Sequence, residues 1–140
     1  MTSTGSATPS SMVEIPDDNT GKAILLMESF RTGDREMIDR LVDMEGQWWV
    51  IGRGYQPMKQ MVDTVCAFAG LMEGEPSTVV GTTSEGDRVA LESRGNIRLK
   101  DGTPYNNDYH FLLKFRDGRV YEGREYLDTA LVERVFKDFL

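Results

Sequence analysis

The chain has 140 residues and a formal charge of −7, from 16 Lys and Arg against 23 Asp and Glu. Its hydrophobic content of 39% is that of a globular protein, so we expect a domain with its own core rather than a disordered chain. The acidic balance disfavours nucleic acid as a partner, because such a surface repels phosphate backbones, and no apolar run approaches the roughly 20 residues that cross a membrane.

The sequence has one cysteine, Cys66, and one histidine, His110. A single cysteine excludes an internal disulfide, and the two residues together are too few for a structural zinc site. No glycine-rich phosphate loop and no cluster of metal ligands is visible, so we expect no cofactor. The lone cysteine and the absence of a secretory pattern at the N-terminus favour a cytoplasmic protein.

The first 16 residues differ in composition from the rest of the chain. They are rich in Ser, Thr, Gly and Pro and have almost no periodic apolar residues. Such a segment cannot bury enough apolar surface to offset the entropy of ordering it. We therefore predict a flexible arm over residues 1–16 and one domain over residues 17–140.

Helical spacing governs the next part of the chain. Apolar residues recur at this spacing from about Thr20 to Arg31, and again after Asp34, which is placed to cap a second helix. The stretch Gln47–Ile51 is aromatic and β-branched and indicates a short strand. Pro57 fits the first turn of a third helix.

Four alternating runs follow, which predict strands over 78–83, 88–99, 105–115 and 119–127. Asp-Gly, a strong hairpin signal, separates such runs at 101–102 and at 117–118. Asp128 or Thr129 then caps a last helix that runs through Phe136. The order ααβαββββα predicts an α+β domain, in which a curved antiparallel sheet is wrapped by helices around a deep and largely apolar pocket.

Several segments of the chain, together with the order of its elements, resemble a known family. These segments are Gly33-Asp34, Trp48-Trp49, Gly86–Ala90, Tyr105–Phe111, Asp117–Val120 and Arg124–Thr129. The family that they resemble is the nuclear transport factor 2-like superfamily, also called the SnoaL-like or ketosteroid isomerase-like fold. The resemblance implies a cone-shaped sheet, and the members of the family include isomerases, epoxide hydrolases, polyketide cyclases, dehydratases and lyases, together with proteins that only bind. Fold alone therefore does not decide the function.

Glu125 is the first candidate for acid–base catalysis. It shares a strand face with Gly123 and Leu127, where a carboxylate is costly unless it is paired or functional. The resemblance adds that limonene-epoxide hydrolases have a catalytic Asp at what looks like this position. If the Asp117-Gly118 turn sets a simple two-residue hairpin, His110 pairs with Glu125 and the two can shuttle a proton. A surface glutamate paired with an arginine, and a structural histidine, are the alternatives.

Glu92 and Arg94 share a face of the second of the four strands. Counting through the Asp101-Gly102 turn places Asn107 and Tyr109 on that face too, opposite the glutamate–histidine face unless a bulge reverses the order. We predict that Tyr109 or Arg94 stabilises charge on a substrate oxygen. Limonene-epoxide hydrolases have Arg and Asp in the reverse order here, which argues against an epoxide-opening triad. A solvated charge ladder or a dimer surface is the alternative.

A second set of residues is predicted to contact a ligand. One of the two adjacent tryptophans must face the pocket, and Trp49 is expected to stack on a flat ligand. By resemblance, ketosteroid isomerases have their general-base Asp near the position of Trp49. Because an indole cannot abstract a proton, we do not expect their mechanism here. Tyr55 is placed to donate a hydrogen bond at the pocket mouth, and Met61, Asn107 and Leu127 complete the set. Ordinary core packing is the alternative for all of them.

Together these features predict a cofactor-independent acid–base enzyme that acts on a hydrophobic, oxygenated small molecule. The reaction class is an isomerase or a lyase (dehydratase), with an epoxide-hydrolase-like reaction disfavoured. The alternative is a module of the same fold that only binds a small molecule or only assembles. The resemblance also implies a homodimer through the sheet, for which the apolar row Phe111, Leu113 and Phe115 is a candidate contact.

Overall fold

The computed structural model describes residues 13–137, and three of the helices in this range are capped at their N-terminus by an aspartate that precedes the first helical residue. The side chains of Asp18, Asp34 and Asp128 each accept a hydrogen bond of 3.1 Å from a backbone N–H of the first turn that follows. Such a cap satisfies an amide that has no partner within the helix. The helices are α1 (Asn19–Thr32), α2 (Arg35–Leu41), α3 (Met58–Ala69) and α4 (Thr129–Phe136).

The strands form one curled sheet in the order β2-β1-β7-β6-β4-β3, with β5 paired to β4. All neighbours are antiparallel except β1 and β7, which are parallel. This confirms the predicted α+β fold, with two short strands, β2 and β5, that the sequence pattern did not indicate. The strands are β1 (Val42–Val50), β2 (Gly54–Pro57), β3 (Met72–Glu85), β4 (Arg88–Leu99), β5 (Pro104–Tyr105), β6 (Asp108–Arg116) and β7 (Arg119–Leu127).

The loop that leads from β4 into β5 is one residue longer than predicted. Arg98 pairs with Pro104, and Leu99 N donates to Thr103 O at 2.8 Å, so the loop has three residues, Lys100 to Gly102. Because side chains alternate along a strand, one extra residue reverses the face of everything that follows. Tyr109 accordingly lies opposite Ser93, and the prediction that Tyr109 and Asn107 share a face with Glu92 and Arg94 is wrong.

A bulge has the same effect between β6 and β7. The Asp117-Gly118 turn has two residues, as predicted, since Arg116 pairs with Arg119. After Phe115, however, the register shifts, and Lys114 pairs with Glu122 instead of Tyr121. The predicted pairing of His110 with Glu125 is therefore wrong.

These two shifts set the faces of the sheet around the site. His110 lies opposite Tyr126 on the outer face, and Glu125 lies opposite Phe111 on the inner face. The inner face packs against α1, α2 and α3 and forms the main core, in which Trp48 and Leu113 are fully buried.

The row Phe111, Leu113 and Phe115 belongs to this core and is buried, so it cannot be a contact surface as predicted. A homodimer would have to use the outer face, and it stays a prediction. Val13 and Ile15, at the end of the predicted arm, pack against the core, whereas residues 1–12 lie outside the described range. Among the described residues, no helix is long and apolar enough to cross a membrane.

Candidate active site

A cavity of about 280 Å³ lies between the inner face of the sheet and helices α1, α3 and α4. Its wall is mostly apolar and aromatic, which is typical of a site for a hydrophobic small molecule. At protein-like packing density this volume holds a ligand of about 10–15 non-hydrogen atoms. The apolar lining includes Met27, Phe30, Trp48, Val50, Met61, Val65, Phe68, Met72, Ile97, Phe111, Leu127, Val132 and Phe136.

Glu125 places a carboxylate in this apolar wall. The indole of Trp48 donates from Nε1 to Glu125 Oε1 at 2.9 Å. Burial raises the pKa of Glu125 because it disfavours the charged form, while the Trp48 hydrogen bond and the positive charge of Arg53 act in the opposite direction. The net effect is a raised pKa, which suits a group that must both accept and return a proton.

The second oxygen of Glu125, Oε2, is open to the cavity. The Trp48 bond occupies Oε1, and no other hydrogen bond to this carboxylate is found among the described residues. Within the same part of the chain, no buried side-chain nitrogen or oxygen lacks a partner. An oxygen without a protein partner must then border accessible space, and Glu125 lines the cavity.

Two tyrosines supply hydroxyl groups to the same cavity. Tyr109 Oη and Tyr105 Oη are 3.0 Å apart, and Asn107 Nδ2 donates to Tyr105 Oη at 3.1 Å. Burial raises the pKa of both tyrosines, and the charge of Glu125 raises both further. Both hydroxyls are therefore neutral near pH 7 and able to donate.

The hydroxyl pair leaves one hydrogen for a ligand. Two O–H groups share one hydrogen bond, and Asn107 fills an acceptor site rather than a donor site on Tyr105. Tyr109 donates to Tyr105, so the O–H of Tyr105 remains unused. The cavity thus combines one carboxylate oxygen and one hydroxyl donor within a single apolar enclosure.

The other charged residues of the cavity lie towards solvent. Arg53 is exposed, in the turn between β1 and β2, and Ile51 N in that turn donates to Glu125 O at 3.0 Å. Arg31 binds Glu28 through two hydrogen bonds of 2.6 and 3.1 Å. Glu73 is exposed at the start of β3. Glu125 is therefore the carboxylate that the apolar wall shields.

A larger depression of about 600 Å³ lies elsewhere on the surface. Its lining includes Glu45, Tyr55 and Arg116, all exposed, so charges there stay hydrated. A hydrated carboxylate or guanidinium is not tuned for proton transfer at neutral pH, because its solvation keeps its charged form stable. The interior cavity is the better candidate for chemistry.

Four of the predicted site residues line the interior cavity: Glu125, Tyr109, Met61 and Leu127. Asn107 is buried behind Tyr105 and does not line the cavity itself; it also bonds to the backbone of Asp128.

The remaining predicted residues lie outside the cavity. His110, Glu92 and Arg94 are exposed on the outer face, where Arg94 Nε lies 3.3 Å from an oxygen of Asp108. The bulge between β6 and β7 is the reason for His110, whereas Glu92 and Arg94 lie on the face opposite Glu125, where the simple count had placed them. None of the three can reach a ligand bound inside.

Trp49 and Tyr55, predicted to bind a ligand, are also on the outside. The guanidinium of Arg124 lies over the Trp49 ring at 3.9 Å and donates to Tyr55 Oη at 3.0 Å. Trp48, not Trp49, faces the cavity. The alternation of β1 carried a signal for this, because Trp48 shares its face with apolar Val50 whereas Trp49 shares its face with polar Gln47.

Tyr105 and Arg53 are functional candidates that the sequence did not reveal. Tyr105 lies in a two-residue strand, and Arg53 lies in a turn, so neither has an alternation pattern to place it. The described residues include no group of three or more side chains suited to hold a metal ion.

A family model described as a SnoaL-like domain matches residues 25–123, which is more than half of the 140-residue chain. The protein belongs to this family. A comparison with curated proteins found no match.

Solved structures share the fold at low sequence identity. A protein from Bacillus subtilis provisionally named an isomerase is 16% identical, with a TM-score of 0.72 over 84% of this chain and 91% of that one. A protein from Jannaschia sp. CCS1 provisionally named a SnoaL-like polyketide cyclase is 17% identical, with a TM-score of 0.71 over 93% and 95%. An LEH-like epoxide hydrolase from M. tuberculosis is 12% identical, with a TM-score of 0.68 over 83% and 87%.

Proposed function

We propose that this protein is a cofactor-independent acid–base enzyme that moves a proton on a hydrophobic small molecule bearing a carbonyl oxygen. The observation that carries the proposal is Glu125: a carboxylate in an apolar cavity, held at one oxygen by Trp48 and open to the cavity at the other. The reaction class is isomerisation or elimination. Structures that share the fold include proteins provisionally named as an isomerase and a cyclase, which is consistent with such chemistry.

In the proposed step, Glu125 Oε2 takes a proton from the carbon next to the carbonyl. The electron pair of that C–H bond forms a C=C bond, and the π pair of the carbonyl moves to its oxygen, which then receives a hydrogen bond from the Tyr105–Tyr109 hydroxyl pair. Glu125 returns the proton to a different carbon in an isomerisation. In an elimination, a leaving group departs with the electron pair and can take the proton.

The cavity favours this transfer at both the developing oxyanion and the base, Glu125. Its apolar wall excludes water, which strengthens the hydrogen bond to the developing oxyanion. The raised pKa of Glu125 brings the base closer to neutral pH, where proton transfer in both directions is efficient. One well-placed acid–base group contributes a factor of about 10²–10⁴ in rate.

Epoxide hydrolysis is the less supported reaction. By resemblance, limonene-epoxide hydrolases have an Arg and an Asp on the strand where this chain has Glu92 and Arg94 in the reverse order, and these two residues are exposed on the outer face. The tyrosine pair suits a carbonyl oxygen, which accepts a hydrogen bond throughout the reaction. The wall therefore favours proton transfer over attack by water.

The proposal is tested by hydrogen exchange at carbon, which requires no knowledge of the natural product. Bicyclic ketones are incubated with the protein in D₂O, and deuterium next to the carbonyl is measured by mass spectrometry. We expect wild type to accelerate incorporation and Glu125→Gln to lower that acceleration by at least about 10²-fold. Glu122→Gln is the matched control, since Glu122 lies on the same strand but pairs with Lys114 and Gln47.

Two outcomes would contradict the proposal. One is equal acceleration by wild type and Glu125→Gln. The other is tight binding of ketones by wild type with no exchange for any member of the panel, which would support a module that only binds small molecules.

A further inference from the structure

Asn107 is a buried amide at the junction of the sheet and α4. Its side chain is 1% exposed. It accepts a hydrogen bond from Asp128 N at 3.0 Å, and it donates to Asp128 O at 3.0 Å and to Tyr105 Oη at 3.1 Å. One side chain thus holds both the residue that caps α4 and a hydroxyl of the cavity.

The orientation of this amide is unambiguous. The backbone N–H of Asp128 can only donate, so the atom that faces it must be Oδ1. Nδ2 then points to Tyr105 Oη and to Asp128 O, and both its hydrogens are used. Turning the amide over would set donor against donor at Asp128.

Helix α4 is a wall of the cavity. Thr129, Val132 and Phe136 line it, and the ring of Phe136 meets the ring of Tyr105 edge-on at 4.9 Å. A displacement of α4 would open the cavity and, through Asn107, disturb the Tyr105 hydroxyl. Tyr109, whose hydroxyl bonds to that of Tyr105, would lose its fixed partner.

We propose that Asn107 is a positioning residue that couples the seating of α4 to the Tyr105–Tyr109 hydroxyl donor, so that the closed wall and the donor form together. Asn107 touches no ligand. It acts through Tyr105, by filling an acceptor site on that hydroxyl and directing the unused O–H into the cavity. The catalytic use of this donor rests on the proposed function, whereas the coupling is a property of binding.

The coupling can be measured with two probes of the same shape. 2-Acetylnaphthalene accepts a hydrogen bond through its carbonyl oxygen, and 2-isopropenylnaphthalene, with a methylene group in its place, does not. The ratio of their dissociation constants compares a carbonyl oxygen that can use the hydroxyl donor with a methylene group that cannot, and a change in this ratio between variants reports the donor. We expect wild type to bind the ketone about five- to tenfold more tightly, as for one neutral hydrogen bond in an apolar site.

Hydrogen exchange of the α4 backbone amides gives the second readout. Coupling is reciprocal, so a ligand that uses the donor must also stabilise the seated helix. In wild type we expect the saturating ketone to slow exchange in α4 several-fold more than the saturating alkene does. Equal protection by the two probes would overturn the proposal without any variant.

Two variants test whether the coupling depends on Asn107. Asn107→Ala should reduce the ketone preference to below about twofold and remove the difference in α4 protection, although both tyrosines remain. Asn106→Ala is the matched control, because the neighbouring Asn106 is exposed and bonds only to Ile97 N among the described residues, and it should keep both effects.

If Asn107→Ala does not fold, Asp128→Ala takes its place, because it removes only the exposed cap of α4. This variant should speed α4 exchange and lower the ketone preference together. Faster exchange with an unchanged preference would overturn the proposal. These readouts are ligand binding and hydrogen exchange, so they do not depend on whether a variant keeps catalytic activity. Failure of the coupling and failure of the proposed enzyme activity therefore remain distinguishable.

Discussion

The indole of Trp48 and the carboxylate of Glu125 are joined by a 2.9 Å hydrogen bond, although 77 residues separate them in the chain. The bond forms because β1 and β7 are parallel neighbours in the sheet, with Trp48 opposite Gly123 and Val50 opposite Glu125. The glycine leaves room for the indole ring to lie against β7 and reach the carboxylate two residues further on. This arrangement holds Glu125 in the cavity wall.

Gly123 should be intolerant of a side chain for this reason. A Cβ added there would overlap the six-membered ring of Trp48, whereas a Cβ at Gly81, also in a strand, meets nothing within 4 Å. We expect Gly123→Ala to lower the free energy of unfolding by about 2–3 kcal/mol, as measured by urea denaturation. Gly81→Ala should change it by less than about 0.5 kcal/mol; equal effects of the two substitutions would show that Trp48 does not pack on Gly123.

The contributions of Glu125 and Glu122 to the free energy of unfolding should change with pH in opposite directions. Burial raises the pKa of Glu125, so the folded protein holds this proton more tightly than the unfolded chain does. The stability linked to that proton is present below the unfolded pKa and is lost as pH rises through the folded pKa. Unfolding measured from about pH 4 to 8 should therefore show wild type losing stability relative to Glu125→Gln as the pH rises.

For Glu122, burial favours a higher pKa, but hydrogen bonds from Lys114 and Gln47 and the charges of Lys114 and Arg124 outweigh it and lower the pKa. Its contribution to stability is present above the unfolded pKa and is lost as pH falls through the folded pKa. Glu122→Gln should thus cost about 1 kcal/mol or more at neutral pH and progressively less in acid. The same pH trend for both variants would contradict the raised pKa of Glu125 or the lowered pKa of Glu122.

The two tyrosines should contribute unequally to the hydroxyl donor. Tyr109 donates to Tyr105, so the unused O–H belongs to Tyr105, whose oxygen also accepts from Asn107. Tyr105→Phe should therefore reduce the ketone-over-alkene preference to below about twofold, whereas Tyr109→Phe, which keeps that O–H, should reduce it by less than about threefold. A larger loss in Tyr109→Phe than in Tyr105→Phe would assign the donor to Tyr109 and contradict this scheme.

Substitutions on the outer face of the sheet should not change the catalytic rate. His110, Glu92 and Arg94 are exposed there, away from the cavity. Each residue changed to Gln should leave the deuterium incorporation rate within about twofold of wild type, because neither the apolar wall nor the hydroxyl pair is altered. A loss in His110→Gln comparable to that in Glu125→Gln would restore the histidine–glutamate pair and reject the register described above.

Periodicity was enough to predict most elements of the fold. The predicted strands over 88–99 and 119–127 match β4 and β7, and Asp128 caps the last helix as expected. These segments have long alternating or helical patterns and clear end signals, such as Asp-Gly and a capping aspartate. The fold class follows from their order.

The side of the sheet on which each residue lies was predicted less well, because that assignment depends on counting every residue between two strands. One extra loop residue at Lys100–Gly102 and one bulge at Tyr121 each reversed a face. The loop length was missed because Asp-Gly suits two-residue and three-residue hairpins alike. The bulge was missed because it lies inside an alternating run, beyond a turn that has the two residues predicted. Glu125 was placed correctly because its argument used only its own strand, whereas His110 was placed by counting across a turn.

The pKa of Glu125 tests the central claim most directly. The carboxyl carbon is followed by ¹³C NMR through a pH titration, and its signal is assigned by its absence in Glu125→Gln. We expect a midpoint above the ordinary value of 4.5, and a higher one in Trp48→Phe, which removes the stabilising indole N–H. A midpoint at or below 4.5 would mean that water solvates this carboxylate, and the acid–base role proposed for it would be contradicted.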